Sequence, residues 1–65
     1  MSHMVVVTVK GMNDEIYGPD VSQEEAEKQL AEVRSTLGTA NTPNLPWIGV
    51  MGGNILAVRI IESGL

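Results

Sequence analysis

Val21-Ser22-Gln23-Glu24-Glu25-Ala26-Glu27-Lys28-Gln29-Leu30-Ala31-Glu32-Val33-Arg34-Ser35-Thr36-Leu37-Gly38 carries the clearest signal in the chain. Ser22 and Glu25 have the S-x-x-E spacing of a capping box, in which each side chain satisfies the other's exposed backbone amide. Glu24 and Glu25 place negative charge at the positive end of the helix dipole. Ala26, Leu30, Val33 and Leu37 follow at intervals of four, three and four, one apolar stripe on a 3.6-residue period. Gly38 stands where a left-handed cap ends a helix. The spacing predicts a helix over 23–37 with those four residues in the core. Glu24, Glu25, Glu27, Lys28 and Glu32 then form a solvated outer face.

The flanking segments read as strands. Before the helix, Val5-Val6-Val7-Thr8-Val9-Lys10 is β-branched and alternating, with Val5, Val7 and Val9 on one face. Gly11-Met12-Asn13-Asp14 marks a turn, and Glu15-Ile16-Tyr17-Gly18 is a short return strand stopped by Pro19. After the helix, Thr39 to Pro46 is a loop held open by Pro43 and Pro46. Residues 46–51 and 55–62 read as two further strands, and Gly52-Gly53-Asn54 as the hairpin turn between them. The fold class expected is α+β: a mostly antiparallel four-stranded sheet, in the order strand, short strand, helix, strand, strand, with one helix packed on one face.

The chain has 65 residues, so one small domain is expected. Met1-Ser2-His3 reads as an expression scar before a second start methionine, leaving a single domain over 4–65. There is no cysteine, and the single histidine lies in that scar. Thiolate chemistry, a catalytic triad and a zinc site with nitrogen or sulfur ligands are therefore not expected. Gly49-Val50-Met51-Gly52-Gly53 lacks the Lys-Ser/Thr of a phosphate-binding loop. Asn13, Asp14, Glu15 and Asp20 have oxygen ligands but no calcium-loop spacing, and turn chemistry accounts for the first two. The net charge is −4, and Lys10, Lys28, Arg34 and Arg59 are scattered, which argues against nucleic acid. No apolar stretch is long enough to span a membrane, so a cytoplasmic protein without cofactors is the expectation.

One helix covers one sheet face. Alternation leaves the other face with Val6, Trp47, Met51, Ile55 and Ile61 around Arg59. A contiguous apolar patch on so short a chain is seldom left bare. Trp47, Met51, Ile55, Arg59 and Ile61 are therefore the candidate protein-binding or self-association residues, with no catalytic or metal-binding residue assigned. A homo-oligomer is expected, built through that face or by strands pairing edge to edge. Arg59 is expected to form an inter-chain or cross-strand ion pair, with Glu15 or Glu62 as partner. Tyr17 and Arg59 are the only candidate reactive pair, and no base of suitable pKa accompanies them.

Tyr17-Gly18-Pro19-Asp20-Val21-Ser22-Gln23-Glu24-Glu25-Ala26-Glu27, taken with Trp47-Ile48-Gly49-Val50 and Ile55-Leu56-Ala57-Val58-Arg59-Ile60, resembles small orphan proteins encoded by actinobacteria and their phages. These share a strand hairpin, a V-S-x-E-E-A-E helix start and a final hairpin. The resemblance implies a short accessory protein that acts on a host protein, and it transfers no active-site residue. The tautomerases match in length only, since their catalytic proline follows the start methionine and Val5 follows Met4 here. The function expected is a non-enzymatic interaction module that binds itself, with a host protein as a further partner. The alternative is a small oligomeric ligand-binding protein or enzyme with a site between subunits.

Overall fold

The computed structural model describes residues 2–63. Met1, Gly64 and Leu65 lie outside the described residues. Alternation stops at Ser63-Gly64-Leu65, which reads as a fraying end, but Ser63 is tied to Ser2 by its N–H donating to the Ser2 carbonyl at 3.0 Å. The elements in order are β1 (His3–Val9), β2 (Ile16–Tyr17), α1 (Gln23–Thr36), a 3₁₀ turn (Gly52–Asn54) and β3 (Ile55–Glu62). The sheet is antiparallel and three-stranded, in the order β2-β1-β3. The fold is α+β with one helix, as expected, but the sheet has one strand fewer.

The strand hairpin forms as read. Gly11 takes φ +80° in the turn closed by the Met12 N–H donating to the Val9 carbonyl at 3.2 Å. Positive φ is disfavoured for residues with a Cβ, so glycine is suited to this place. His3 lies in β1 despite its place in the expected scar. It pairs with Glu62 of β3 and exchanges two 2.8 Å backbone hydrogen bonds with Val21, just before the helix.

The helix begins at the expected residue. The Ser22 Oγ accepts from the Glu25 N–H at 3.1 Å. Only this half of the capping box is made, because the Glu25 carboxylate accepts from Gln29 Nε2 at 3.4 Å instead. Gly38 takes the left-handed φ of +75° just beyond the helix. The buried stripe is rotated from the predicted one. Ala26, Gln29, Val33 and Thr36 face the sheet, Leu30 is half-buried, and Leu37 is 40% exposed. Leu37 falls outside the helix with ψ 134°, so helical spacing no longer sets its direction. The Thr36 hydroxyl is buried without loss, since it donates to the Val33 carbonyl at 2.8 Å.

Residues 46–51 are not a strand, and this corrects the predicted final hairpin. Pro43 and Pro46 supply no amide, and the segment turns on itself through Leu45 N–H to Pro43 C=O and Ile48 N–H to Leu45 C=O. Its apolar residues cap the core instead. Ile48 is buried with Val5, Val7, Val9, Ala26, Val33 and Ile55, and Leu45, Trp47 and Val50 pack against that cluster. Gly52-Gly53-Asn54 forms the 3₁₀ turn, pinned to the loop by Gly52 N–H to Asn41 C=O and Gly53 N–H to Thr39 C=O, both 2.8 Å. A Cβ on Gly52 would run into the Thr36 carbonyl, so the turn lies directly against the end of α1.

The packing orders the helix substitutions. Val33→Ala is expected to cost about 1.5–3 kcal/mol, and Leu37→Ala well under 1 kcal/mol. Ser22→Ala should cost about 0.5–2 kcal/mol through the lost cap. Urea unfolding of the three variants checks this ranking; a Leu37→Ala loss equal to that of Val33→Ala would contradict it.

Candidate functional site

The sheet has two faces, and the pairing assigns them. Val7 opposes Ile16 and Val58, and Val5 opposes Ile60, on the face under α1. Val6 opposes Tyr17 on one side and Arg59 on the other, Met4 opposes Ile61, and Thr8 opposes Ala57, on the face away from the helix. This second face was expected to hold a bare apolar patch. Instead Val6, at its centre, is fully buried.

A polar strap crosses over the central strand. Arg59 of β3 reaches Glu15, just before β2, with Nη1 donating to Oε2 at 2.6 Å and Nη2 to Oε1 at 3.1 Å. The fork geometry matches two guanidinium donors to two carboxylate oxygens, the stronger form of ion pair. The Thr8 hydroxyl of β1 donates to Glu15 Oε2 at 2.9 Å, and the Tyr17 hydroxyl to Oε1 at 3.3 Å. The expected cross-strand ion pair therefore forms with Glu15. All three strands contribute to or flank the strap, and the alkyl part of Arg59 shields apolar surface while its head is paired.

These contacts set the charge states. The Arg59 guanidinium first, and then the Thr8 hydroxyl, hold the Glu15 carboxyl down from the ordinary 4.5 to about 2. The Glu15 carboxylate in turn raises Arg59. A carboxylate so far below neutral is a poor proton acceptor at physiological pH. Tyr17, Arg59 and Glu15 do converge, but on an open sheet surface and with their donors spent on one another. Val6, paired with both Tyr17 and Arg59 on this face, is fully buried beside the cluster.

The five sequence-predicted residues do not share a surface. Ile55 is buried in the core under the helix, because the ladder slips between Thr8 and Val9. Thr8 pairs with Ala57 and Val9 with Ile55, leaving Leu56 as the extra residue of a β-bulge. The bulge turns Ile55 inward and leaves Leu56 66% exposed, the most exposed large apolar residue described. Trp47 also lies on the core side: a Cβ on Gly18 would sit 2.7 Å from its ring. Met51 is exposed just before the 3₁₀ turn. Arg59 and Ile61 alone are neighbours on the face away from the helix. Glu15 was one of the two partners expected for Arg59, and Thr8 follows Val6 onto this face by alternation. The exposed Leu56 was not marked, because a bulge has no alternation signal.

Among the described residues, no three His, Cys, Asp or Glu side chains are grouped so as to hold a metal ion, and no helix is long and apolar enough to cross a membrane. Compared with protein-family models, curated proteins and solved structures, the chain matches none.

The strap gives a signed pH dependence. Glu15 binds its proton less readily when folded, so its contribution is complete above pH about 4.5 and is lost as pH falls toward about 2. Thermal midpoints between pH 6 and 2 should fall more steeply for the wild type than for Glu15→Gln. Parallel curves would mean that the ion pair adds nothing to stability.

Proposed function

We propose that the protein is a small non-enzymatic interaction module that associates with itself. The observation that carries this reading is β3. It is eight residues long, six of them Ile, Leu, Val or Ala, and only β1 pairs with it among the described residues. Exposed apolar edge strands are templates for another chain, and proteins that work alone blunt them with Lys, Pro or a covering segment. The strand has neither Lys nor Pro. Ile61 lies on the open face of this strand, and Leu56 is exposed at its bulge.

The alternative of an enzyme with a site between subunits is less well supported. Its required group of Tyr17, Arg59 and a carboxylate is present but internally satisfied. The resemblance to actinobacterial and phage orphan proteins favours an accessory polypeptide that acts by contact, with a host protein as a further partner.

Light scattering coupled to gel filtration tests the proposal. The wild type is expected to show more than one chain's mass at micromolar concentration. Ile61→Lys should lower that mass on dilution while keeping the helical circular dichroism signal. A wild-type mass of one chain at every concentration would overturn the reading.

A further inference from the structure

We propose that two copies of this chain join through β3 as an antiparallel pair whose two-fold axis passes through Ile60, giving one continuous six-stranded sheet. This rests on the self-association reading above and specifies its interface.

The direction of each backbone group follows from the hydrogen bonds. On β1, His3 exchanges bonds with Val21, and the Val5 carbonyl accepts from the Gly18 N–H, so the odd-numbered residues point toward β2. The even-numbered residues Met4, Val6 and Thr8 then point toward β3, where their partners are Ile61, Arg59 and Ala57. The Ser63 N–H donating to the Ser2 carbonyl at 3.0 Å continues the same phase. Amides and carbonyls alternate in direction along a strand. Val58, Ile60 and Glu62 therefore turn theirs to the outer edge, where none of them meets another backbone group among the described residues.

Those three residues define the register. The bulge at Leu56 interrupts the regular edge at its start, so the evenly spaced outward groups run from Val58 to Glu62 and centre on Ile60. In an antiparallel pair about Ile60, Ile60 meets its own copy and Val58 meets Glu62 of the other chain. All three outward residues of each copy are then satisfied. On the face away from the helix, Arg59 meets Ile61, an apolar partner for its alkyl stem. Centring the pair on Arg59 would set two guanidinium groups directly opposite each other, which is unfavourable. Centring it on Val58 would draw the bulge into the ladder.

The occupant is a second copy rather than an unrelated strand for two reasons. The charges are self-compatible, with Arg59 and Glu62 each falling opposite an apolar residue. The fold is also guarded against growth beyond two copies. The other sheet edge, β2, has only two residues and is followed by Gly18 and Pro19, and proline cannot extend a ladder. One naked edge and one blunted edge give a closed pair rather than a fibre.

The chain has no cysteine, so single-cysteine variants report the register directly. Oxidised Ile60→Cys is expected to give a covalent dimer, since residues facing each other across the axis lie about 5.5 Å apart. Val58→Cys should not, because its two copies would lie about 13 Å apart. Glu62→Pro removes an outward amide that β1 does not use, and should raise the dimer dissociation constant roughly tenfold or more. A wild-type dimer that Ile60→Cys fails to cross-link, with affinity unchanged by Glu62→Pro, would place the interface elsewhere. The self-association reading would then stand without this inference. Cross-linking at Val58 in place of Ile60 would overturn the register. A single-chain wild-type mass at every concentration would overturn both proposals. If Glu62→Pro does not fold, the cysteine pair decides alone.

Discussion

Val5, Val6 and Val7 are consecutive, lie in the central strand and are all fully buried, which requires cover on both faces of a three-stranded sheet. Consecutive strand residues point to opposite faces, so one helix cannot bury all three. Val5 and Val7 lie under α1 and the 45–50 loop segment. Val6 lies under the Glu15–Arg59 bridge. Each buried valine contributes about 1.5–3 kcal/mol, a large share of the stability a domain of this size holds. The ion pair itself is exposed, and such pairs contribute little in isolation. Its value lies in where it is placed: the paired side chains span β1 and keep water from Val6.

The same economy explains the missing fourth strand. A hairpin of residues 46–51 and 55–62 would have covered the outer edge of β3, but it would have left the helix-side core open beside β2. Leu45, Trp47, Ile48 and Val50 fill that place instead, with Trp47 against Gly18. The prolines at 43 and 46 suit this outcome, since they cannot donate to a ladder. With the core closed by the loop, β3, the longest strand, pairs on one side only among the described residues, and the proposed self-association uses that strand edge rather than a sheet face.

Much of the fold was legible from local chemistry. Ser22 and Gly38 bracket the helix as read, Gly11 marks the first turn, and Ile16-Tyr17 is the brief return strand. The helix face was less legible. Leu30 and Leu37 have the right spacing for a core stripe, yet Gln29 and Thr36 hold the inner positions. Gln29 is only 6% exposed, and its Oε1 has no hydrogen-bond partner. The angle at which a helix sits on a sheet depends on the side chains beneath it, and those come from strands distant in sequence. The candidate surface was legible in part: Arg59 and Ile61 share a face, while Ile55 and Trp47 belong to the core side.

By itself the sequence determined what near neighbours can settle: a capped helix, a β-branched first strand and a glycine turn. Each depends on residues within a few positions of one another, where backbone sterics and side-chain–backbone hydrogen bonds act directly. The tertiary structure alone decided the bulge at Leu56, the choice of Glu15 over Glu62 as the partner of Arg59, and the conversion of 46–51 from strand to core cover. All three depend on contacts between segments far apart in the chain. There the competition for buried area outweighs local strand propensity, and alternation along one strand does not record a slip in the register with its neighbour.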